Sequence, residues 1–403
     1  MIHSFSCKNF YSFSDLATIS FVVNDKAPVN NGYFTAASGN RLSKVEAVIG
    51  PNASGKTNLM KVLPFLKWLI ADSFNINPTA PLPVKPFMFG RGKNKPSELS
   101  VDFEIKGAIY TYNFILDEKR ILSEELFVKD KSVQKTTRKK IFSRKWNDEK
   151  DEYDLEDKGF GLPKEFKSSL RSNASIISLA VRFEHKKSQE IFDFWQKIKT
   201  NVIEAGWTGD RLLSSKDVGL FEALDFYSEN EKIKTEAEKI LSRFDLGLDS
   251  FNIKKEKKEN GFSINVEVVH SFGGKKVYLL PIMYESSGTK QLFVLLKTIL
   301  LVLDKGGIAV LDEFDVNLHP DITLALFELF INPETNPHNA QLLFSTHSHR
   351  VLSMLDKYQI ILTEKNEKGE SESWRLDDME GVRADDNYYT KYIAGAYGAI
   401  PKL

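Results

Sequence analysis

Four residues of the stretch GPNASGKTN, Gly50, Gly55, Lys56 and Thr57, stand at the spacing G-x-x-x-x-G-K-T. Glycines at those points let the backbone turn until successive amide N–H groups face one concavity, and the helix that follows adds the partial positive charge of its N-terminus. Such a loop cradles phosphates. Lys56 reaches the β- and γ-phosphates of a nucleoside triphosphate and the Thr57 hydroxyl binds Mg2+, while Asn52, Ser54 and Asn58 complete the loop and the first helical turn. The apolar run VEAVI at 45–49 supplies the buried strand that such a loop needs in front of it.

Three further stretches carry chemistry. GGIAVLDEFDVNLHPD (306–321) is an apolar strand ending in Asp312 and Glu313. A carboxylate at a strand tip beside the cradle holds the Mg2+ shell, and its neighbour polarises the attacking water, so Asp312 takes the metal role and Glu313 that of base. NAQLLFSTHSHRVL (339–352) gives a second buried strand with His347 just past its end. A histidine there reaches the γ-phosphate or the attacking water; His349, the competitor, opens the following helix.

In YESSGTKQLFVLL (284–296), Ser286, Ser287 and Gly288 precede a long apolar helix. Hydroxyl, backbone N–H groups and helix dipole together make a second anion site there. One chain needs only one cradle, so a second anion site upstream of the carboxylate strand is useful if it closes over the nucleotide of another copy. That predicts a dimer with ATP sandwiched between its subunits. The plain alternative is an ordinary serine N-cap.

The elements that must position these groups follow from pattern and composition. At 403 residues the chain exceeds the size at which one core keeps growing, which predicts one large composite domain or two lobes. Lys plus Arg and Asp plus Glu both total 55, so no global basic field argues for nucleic acid and any such binding is local. The single cysteine, Cys7, forms no intramolecular disulfide, as suits a reducing cytoplasm. The opening MIHSFSCKNFYSF lacks the pattern of a signal peptide. LFVLLKTILLVL (292–303) contains Lys297 and is too short for a bilayer, so it reads as a buried helix.

Residues 1–23 alternate as two strands about a turn at Ser12–Asp15, and Pro78, Pro81, Pro83 and Pro86 mark a loop after the cradle helix. Residues 98–128 read as a three-stranded meander broken at Lys106-Gly107 and Asp117-Glu118. Between Lys135 and Lys145 six of eleven residues are basic, and the next dozen are mainly acidic. A nucleic-acid patch is one reading. A hairpin turning at Asn147-Asp148, with opposite charges across it, is preferred because the acidic arm cancels the local field. PKEFKSSLRS, SQEIFDFWQKIKTNVIEA and NEKIKTEAEKILSRF, within 163–246, read as helices, the last stopping at Gly247; 251–281 returns to strands.

The order GPNASGKTN, SSGTKQ, IAVLDEFD with LHP, then LLFSTHS resembles the ABC-type ATPase heads of the RecF and SMC kind. It is more similar still to the AAA15 branch of AAA-family ATPases from phage-defence operons, the AbiLi/RloA type, which the opening SFSCKNFYSFSD and the tail YYTKYIAGAYGAIPKL also resemble. The resemblance implies an α/β fold: an ABC-type ATPase head with a P-loop core and an antiparallel β subdomain. Ser286 with Gly288, or alternatively Ser287, then matches the signature motif acting in trans. Asp315 to His319 matches the loop that communicates across a dimer, and His347 the switch histidine. Two departures stand out: no glutamine between cradle and meander can be named as the one that watches Mg2+, and a short helical insert replaces the long coiled-coil arm.

The expected organisation is an N-terminal ATPase lobe over 1–162, a helical insert over 163–250 and a C-terminal ATPase lobe over 251–403. The expected activity is Mg2+-dependent ATP hydrolysis by a cytoplasmic homodimer or higher homo-oligomer. The resemblance implies a sensor or regulator of antiphage, abortive-infection defence. It would be triggered by a phage protein or nucleic acid and control a separate effector such as a RloB-like Toprim nuclease. A RecF-like DNA repair or replication protein is the alternative; a membrane transporter's energy subunit is disfavoured.

Overall fold

The cradle strand, Val45–Ile49, is buried along its whole length and is fourth of six in a mixed sheet. The order is Ile198–Thr200, Ile308–Leu311, Gln341–Ser345, Val45–Ile49, Ile360–Lys365, Ser371–Arg375. The first five run parallel and the last pairs antiparallel. The computed structural model describes residues 1–90, 92–129, 138–202, 216–244, 247–258, 261–272 and 276–401.

Near-continuous apolar strands signal a sheet covered on both faces, and side-chain alternation shows how. Val48, Ile308, Val310, Leu343 and Ile361 enter one core. Ala47, Ile49, Ala309, Leu311, Leu342, Phe344 and Leu362 enter the other. The first core is closed by a seven-stranded antiparallel sheet that contains the opening strand Ile2–Lys8 and the meander, together with the helices after the cradle. The second is closed chiefly by the helix Ser287–Lys305, which buries Leu292, Phe293, Leu296, Ile299 and Leu303. Ser286 caps that helix, its hydroxyl accepting from the Thr289 amide at 3.0 Å, and Gly306 ends it at φ 61°, a conformation cheap only for glycine. A three-stranded antiparallel sheet, Leu248–Lys258, Gly261–Phe272 and Lys276–Pro281, packs with the helices Lys216–Glu229 and Glu231–Arg243. This is the expected α/β fold with a P-loop core and an antiparallel subdomain. Among the described residues no helix is longer than the 19 residues of Ser287–Lys305, so no long coiled coil is present there.

The charge-dense segment is a hairpin, as preferred. Lys139–Asn147 pairs with Glu152–Asp157, and the Asn147 side chain accepts from the amides of Glu149 and Lys150 to make the turn. Two of its basic residues are engaged: Lys140 meets Glu125 at 3.0 Å, and Arg144 is fully buried against Glu124 at 2.7 Å. Residues 135–137 of the basic arm lie outside the described residues.

Two helical readings change. Residues 164–169 form 3-10 turns, and the helix read from Ser188 onward ends at Gln196. Ile198–Thr200 instead extends the parallel sheet, pairing Ile198 with Ile308 and Thr200 with Val310. A β-branched segment beside an open sheet edge gains more from the ladder than from two further helical turns. Residues 203–205 of that reading lie outside the described residues.

Glu46 is an anomaly within the cradle strand. It is fully buried, holds the Ser43 hydroxyl through one oxygen, and its other oxygen has no partner among the described residues. Burial pushes its carboxyl up to about 8 from about 4.5, although Arg375 and Ser43 oppose the shift. Between those values the folded chain keeps a proton that the unfolded chain releases. Stability is therefore full below pH 4.5 and falls as pH rises toward 8. Glu46→Gln should flatten this decline in denaturant titrations run at pH 5 and pH 8, whereas an equal decline in parent and variant would place its origin elsewhere.

Candidate functional site

The site is assembled where parallel strands end. In register, Leu311 lies opposite Phe344, Ser345 opposite Val48, and Ile49 opposite Leu362. The loops after these strands therefore emerge side by side, at the carboxyl edge where α/β sheets bind ligands.

Gly50 and Gly55 are required by space as well as by conformation. A Cβ on Gly50 would lie 2.2 Å from the Thr363 carbonyl oxygen, and Gly55 sits at φ 114° with Ser371 Oγ only 2.4 Å from where its Cβ would be. Ser54 hydrogen-bonds Thr363 through their hydroxyls at 2.8 Å, and Asn58 donates to Ser12 Oγ at 2.9 Å. The loop is thus braced by the hairpin of strands Ile360–Lys365 and Ser371–Arg375, and by the turn after the opening strand. Lys56 is nearly buried, and its ammonium donates to the loop's own carbonyls, Gly50 at 2.8 Å and Pro51 at 3.0 Å. Burial lowers its pKa despite the opposing pull of Asp312, Glu313 and Asp315.

The carboxylates are fixed by neighbours that the sequence did not flag. Asn201, one residue past its edge strand, clamps the Asp312 backbone from both sides: its Nδ2 donates to the Asp312 carbonyl and its Oδ1 accepts from the Asp312 amide, each at 2.8 Å. Ser345 accepts from the Glu313 amide at 2.8 Å and donates to the Asp312 carboxylate. Glu313 itself sits at φ 49°, an unfavourable conformation for a non-glycine residue, and its side chain is exposed. Asp315 accepts from the His347 amide at 3.3 Å, tying the next loop to the histidine.

A cavity of about 530 Å³ gathers Asn52, Gly55, Lys56, Thr57, Asn58, Asp312, Glu313 and His347, together with Ala53 and Lys365. Gly50 and Ser54 line a second cavity behind it, with His349 and Tyr392. Ser286, Ser287 and Gly288 line neither of the two. Ser286 and Ser287 are exposed at the start of their helix, and half-buried Gly288 packs so tightly on the 315–319 loop that a Cβ would lie 2.6 Å from the Asn317 carbonyl. His349 opens a 3-10 turn and stacks near Tyr392 at 4.9 Å, leaving His347 as the histidine of the cradle.

The donor set suits Mg2+. A hydroxyl and a carboxylate share the cavity, and among the described residues no group of three or more His, Cys, Asp or Glu forms a metal cage. A cation that keeps its waters and takes other ligands from phosphates needs no such cage.

Residues 47–353, from the cradle strand to beyond His347, match the family described as "AAA domain, putative AbiEii toxin, Type IV TA system". The chain belongs to this AAA_21 family. Every predicted site residue falls within the matched span. Cradle, carboxylate strand and antiparallel sheet give this AAA_21 chain the build of an ABC-type ATPase head, a nucleotide-binding design. Among solved structures it is similar to the SMC head domain from Thermotoga maritima (13% identity, 93% of this chain and 98% of that one, TM-score 0.43). It is also similar to an Smc head with coiled coil and joint from Pyrococcus yayanosii (12%, 98% and 99%, TM-score 0.45). A third is an Smc head bound to the C-terminal winged-helix domain of ScpA (15%, 94% and 98%, TM-score 0.44). No curated protein matches the sequence.

Asn201 carries no local signal, because the apolar spacing of 188–205 is that of a helix and its strand forms only through pairing with Ile308–Val310. Ser345 was visible as the last residue of the LLFS run, but its two bonds depend on pairing that no local pattern encodes. Ser345→Ala should leave the fold intact yet raise the Mg2+ concentration needed for half-maximal ATP turnover by about 10–100-fold. An unchanged Mg2+ titration would show that Ser345 does not orient Asp312.

Proposed function

We propose that this chain is a Mg2+-dependent ATPase that dimerises around ATP and regulates antiphage, abortive-infection defence. The observation that carries the dimer is the divided site. Eight predicted residues share one cavity, while the anion-binding serines stand exposed on a separate surface joined to the 315–319 loop. Beside Ser286, Met283 and Tyr284 are 47% and 78% exposed, an apolar rim that gains by closing on a second copy.

In this reading the loop amides and Lys56 hold the phosphates, while Thr57 and Asp312 would hold Mg2+. The metal supplies charge neutralisation at the phosphate oxygens. Glu313 accepts the proton of the attacking water on its carboxylate, and His347 donates to the terminal phosphate. The partner's Ser286, or Ser287, with Gly288 completes the phosphate's coordination through hydroxyl, amides and helix dipole.

The defence role is supported by the family description, whose terms are "putative AbiEii toxin" and "Type IV TA system". The resemblance of the tail to the AbiLi/RloA type adds to it. A phage protein or nucleic acid would act as trigger and a separate effector, such as a RloB-like Toprim nuclease, as output. The domain division at 162 and 250 is kept as part of the proposal, with the helices Lys216–Glu229 and Glu231–Arg243 of the middle segment as one surface for that effector, since Ile198–Thr200 of the same segment belongs to the central sheet. Among the described residues no helix is long and apolar enough to cross a membrane, and a cytoplasmic site of action is part of the proposal.

Glu313→Gln should keep ATP binding, slow turnover by about 100-fold or more, and accumulate a dimer or larger assembly on light scattering with ATP. A variant that remains monomeric with ATP would refute the sandwich. Lys56→Ala should lose both ATP binding and protection of cells.

A further inference from the structure

The cradle cavity contains a second cation, Lys365, that the phosphate-loop motif does not include. Its place is set by the sheet. Leu362 pairs with Ile49, so three residues further on Lys365 rises beside Asn52, in the first half of the phosphate loop. The strand that carries it cannot drift from the cradle. Thr363 bonds Ser54, and Ser371, directly opposite Lys365, donates its amide to the Ser12 carbonyl at 2.8 Å. The close approach of Ser371 to Gly55 holds the other end of the loop.

The Lys365 side chain is exposed, and no hydrogen bond or ion pair engages its ammonium among the described residues. It lines both the cradle cavity and the cavity behind, sharing that position with Asn52, Ala53 and His347. Thr57 and Asn58, at the other end of the loop, line only the front cavity. Lys365 is therefore placed at the His347 end, where the last phosphate of a bound chain lies if Lys56 spans its final two. Lys56 is not surrounded by positive charge there: its ammonium also meets the Gly50 and Pro51 carbonyls, and Asp312 and Glu313 add negative charge to the same cavity, so a second cation has charge to balance.

We propose that Lys365 is a second cationic ligand for the terminal phosphate, so that the site distinguishes nucleoside triphosphate from diphosphate. The proposal rests on the reading of the cradle as an ATP site. An ammonium on a flexible stem acts as a point charge and needs only proximity, which a braced strand provides.

The test is calorimetric titration of the full chain with Mg2+ and either the β,γ-imido analogue of ATP or ADP. Parent, Lys365→Met, Lys365→Arg and Lys56→Ala are compared. Lys365→Met should weaken the triphosphate about tenfold, leave ADP within about twofold, and be largely rescued by Lys365→Arg. Because the residue is exposed, its circular dichroism spectrum should match the parent's. Equal weakening of both nucleotides, or none, overturns the role of Lys365 while the cradle stands. A parent that binds neither nucleotide overturns the ATP reading and this proposal with it.

Discussion

The register of one parallel ladder governs this molecule. Three strands far apart in sequence, Val45–Ile49, Ile308–Leu311 and Gln341–Ser345, end at nearly the same level, and Ile360–Lys365, paired beside the first, runs three residues past Ile49. A single-residue slip would turn each apolar strand over between the two cores and withdraw its loop from the site. Burial on both faces makes such a slip prohibitive. The hydrophobic effect thus specifies the relative positions of Lys56, Asp312, His347 and Lys365 without any of them contributing to the core's cohesion.

What that ladder assembles is electrostatically incomplete. Amides, a helix N-terminus and Lys56 favour an anion, yet Lys56 is turned onto its own loop and burial lowers its pKa. Two carboxylates sit opposite. A polyphosphate with a divalent cation balances this arrangement, and the metal's charge reverses the penalty of placing phosphate near Asp312. The exposed serine-capped helix offers the remaining positive potential on another face. Within one chain it is locked to the 315–319 loop through the contact of Gly288 with Asn317, so in the proposed dimer the two would meet a second copy as one surface.

Much of this was legible in sequence because it is local. The cradle spacing, the apolar strand ending in Asp312-Glu313, His347 past its strand and the Ser286 cap are short-range patterns, and each occupies the element expected of it. The hairpin was legible for the same reason, as two adjacent strands about a local turn, although Lys140 and Arg144 find their carboxylates, Glu125 and Glu124, on the strand before it. What the sequence hid was non-local. Ile198–Thr200 looked helical because the sheet edge that captures it is formed by residues more than a hundred positions later. Asn201, Thr363, Ser371 and Lys365 have ordinary local contexts, and their roles arise only from strand pairing. Glu46, a carboxylate within a buried strand, broke the apolar pattern visibly, but its cost could be judged only once both faces of the sheet were seen to be covered.

The central claim, that each cradle is completed by another copy, is tested most directly by mixing two inactive chains. Lys56→Ala removes the cradle's cation and Ser286→Arg blocks the completing surface, so neither alone should hydrolyse ATP. A mixed dimer regains one site with both halves intact. The account predicts that equal mixing restores about a quarter of the parental rate, since half the dimers are mixed and each has one working site. A mixture no more active than its separate components, or a Ser286→Arg chain with the full parental rate, would contradict it.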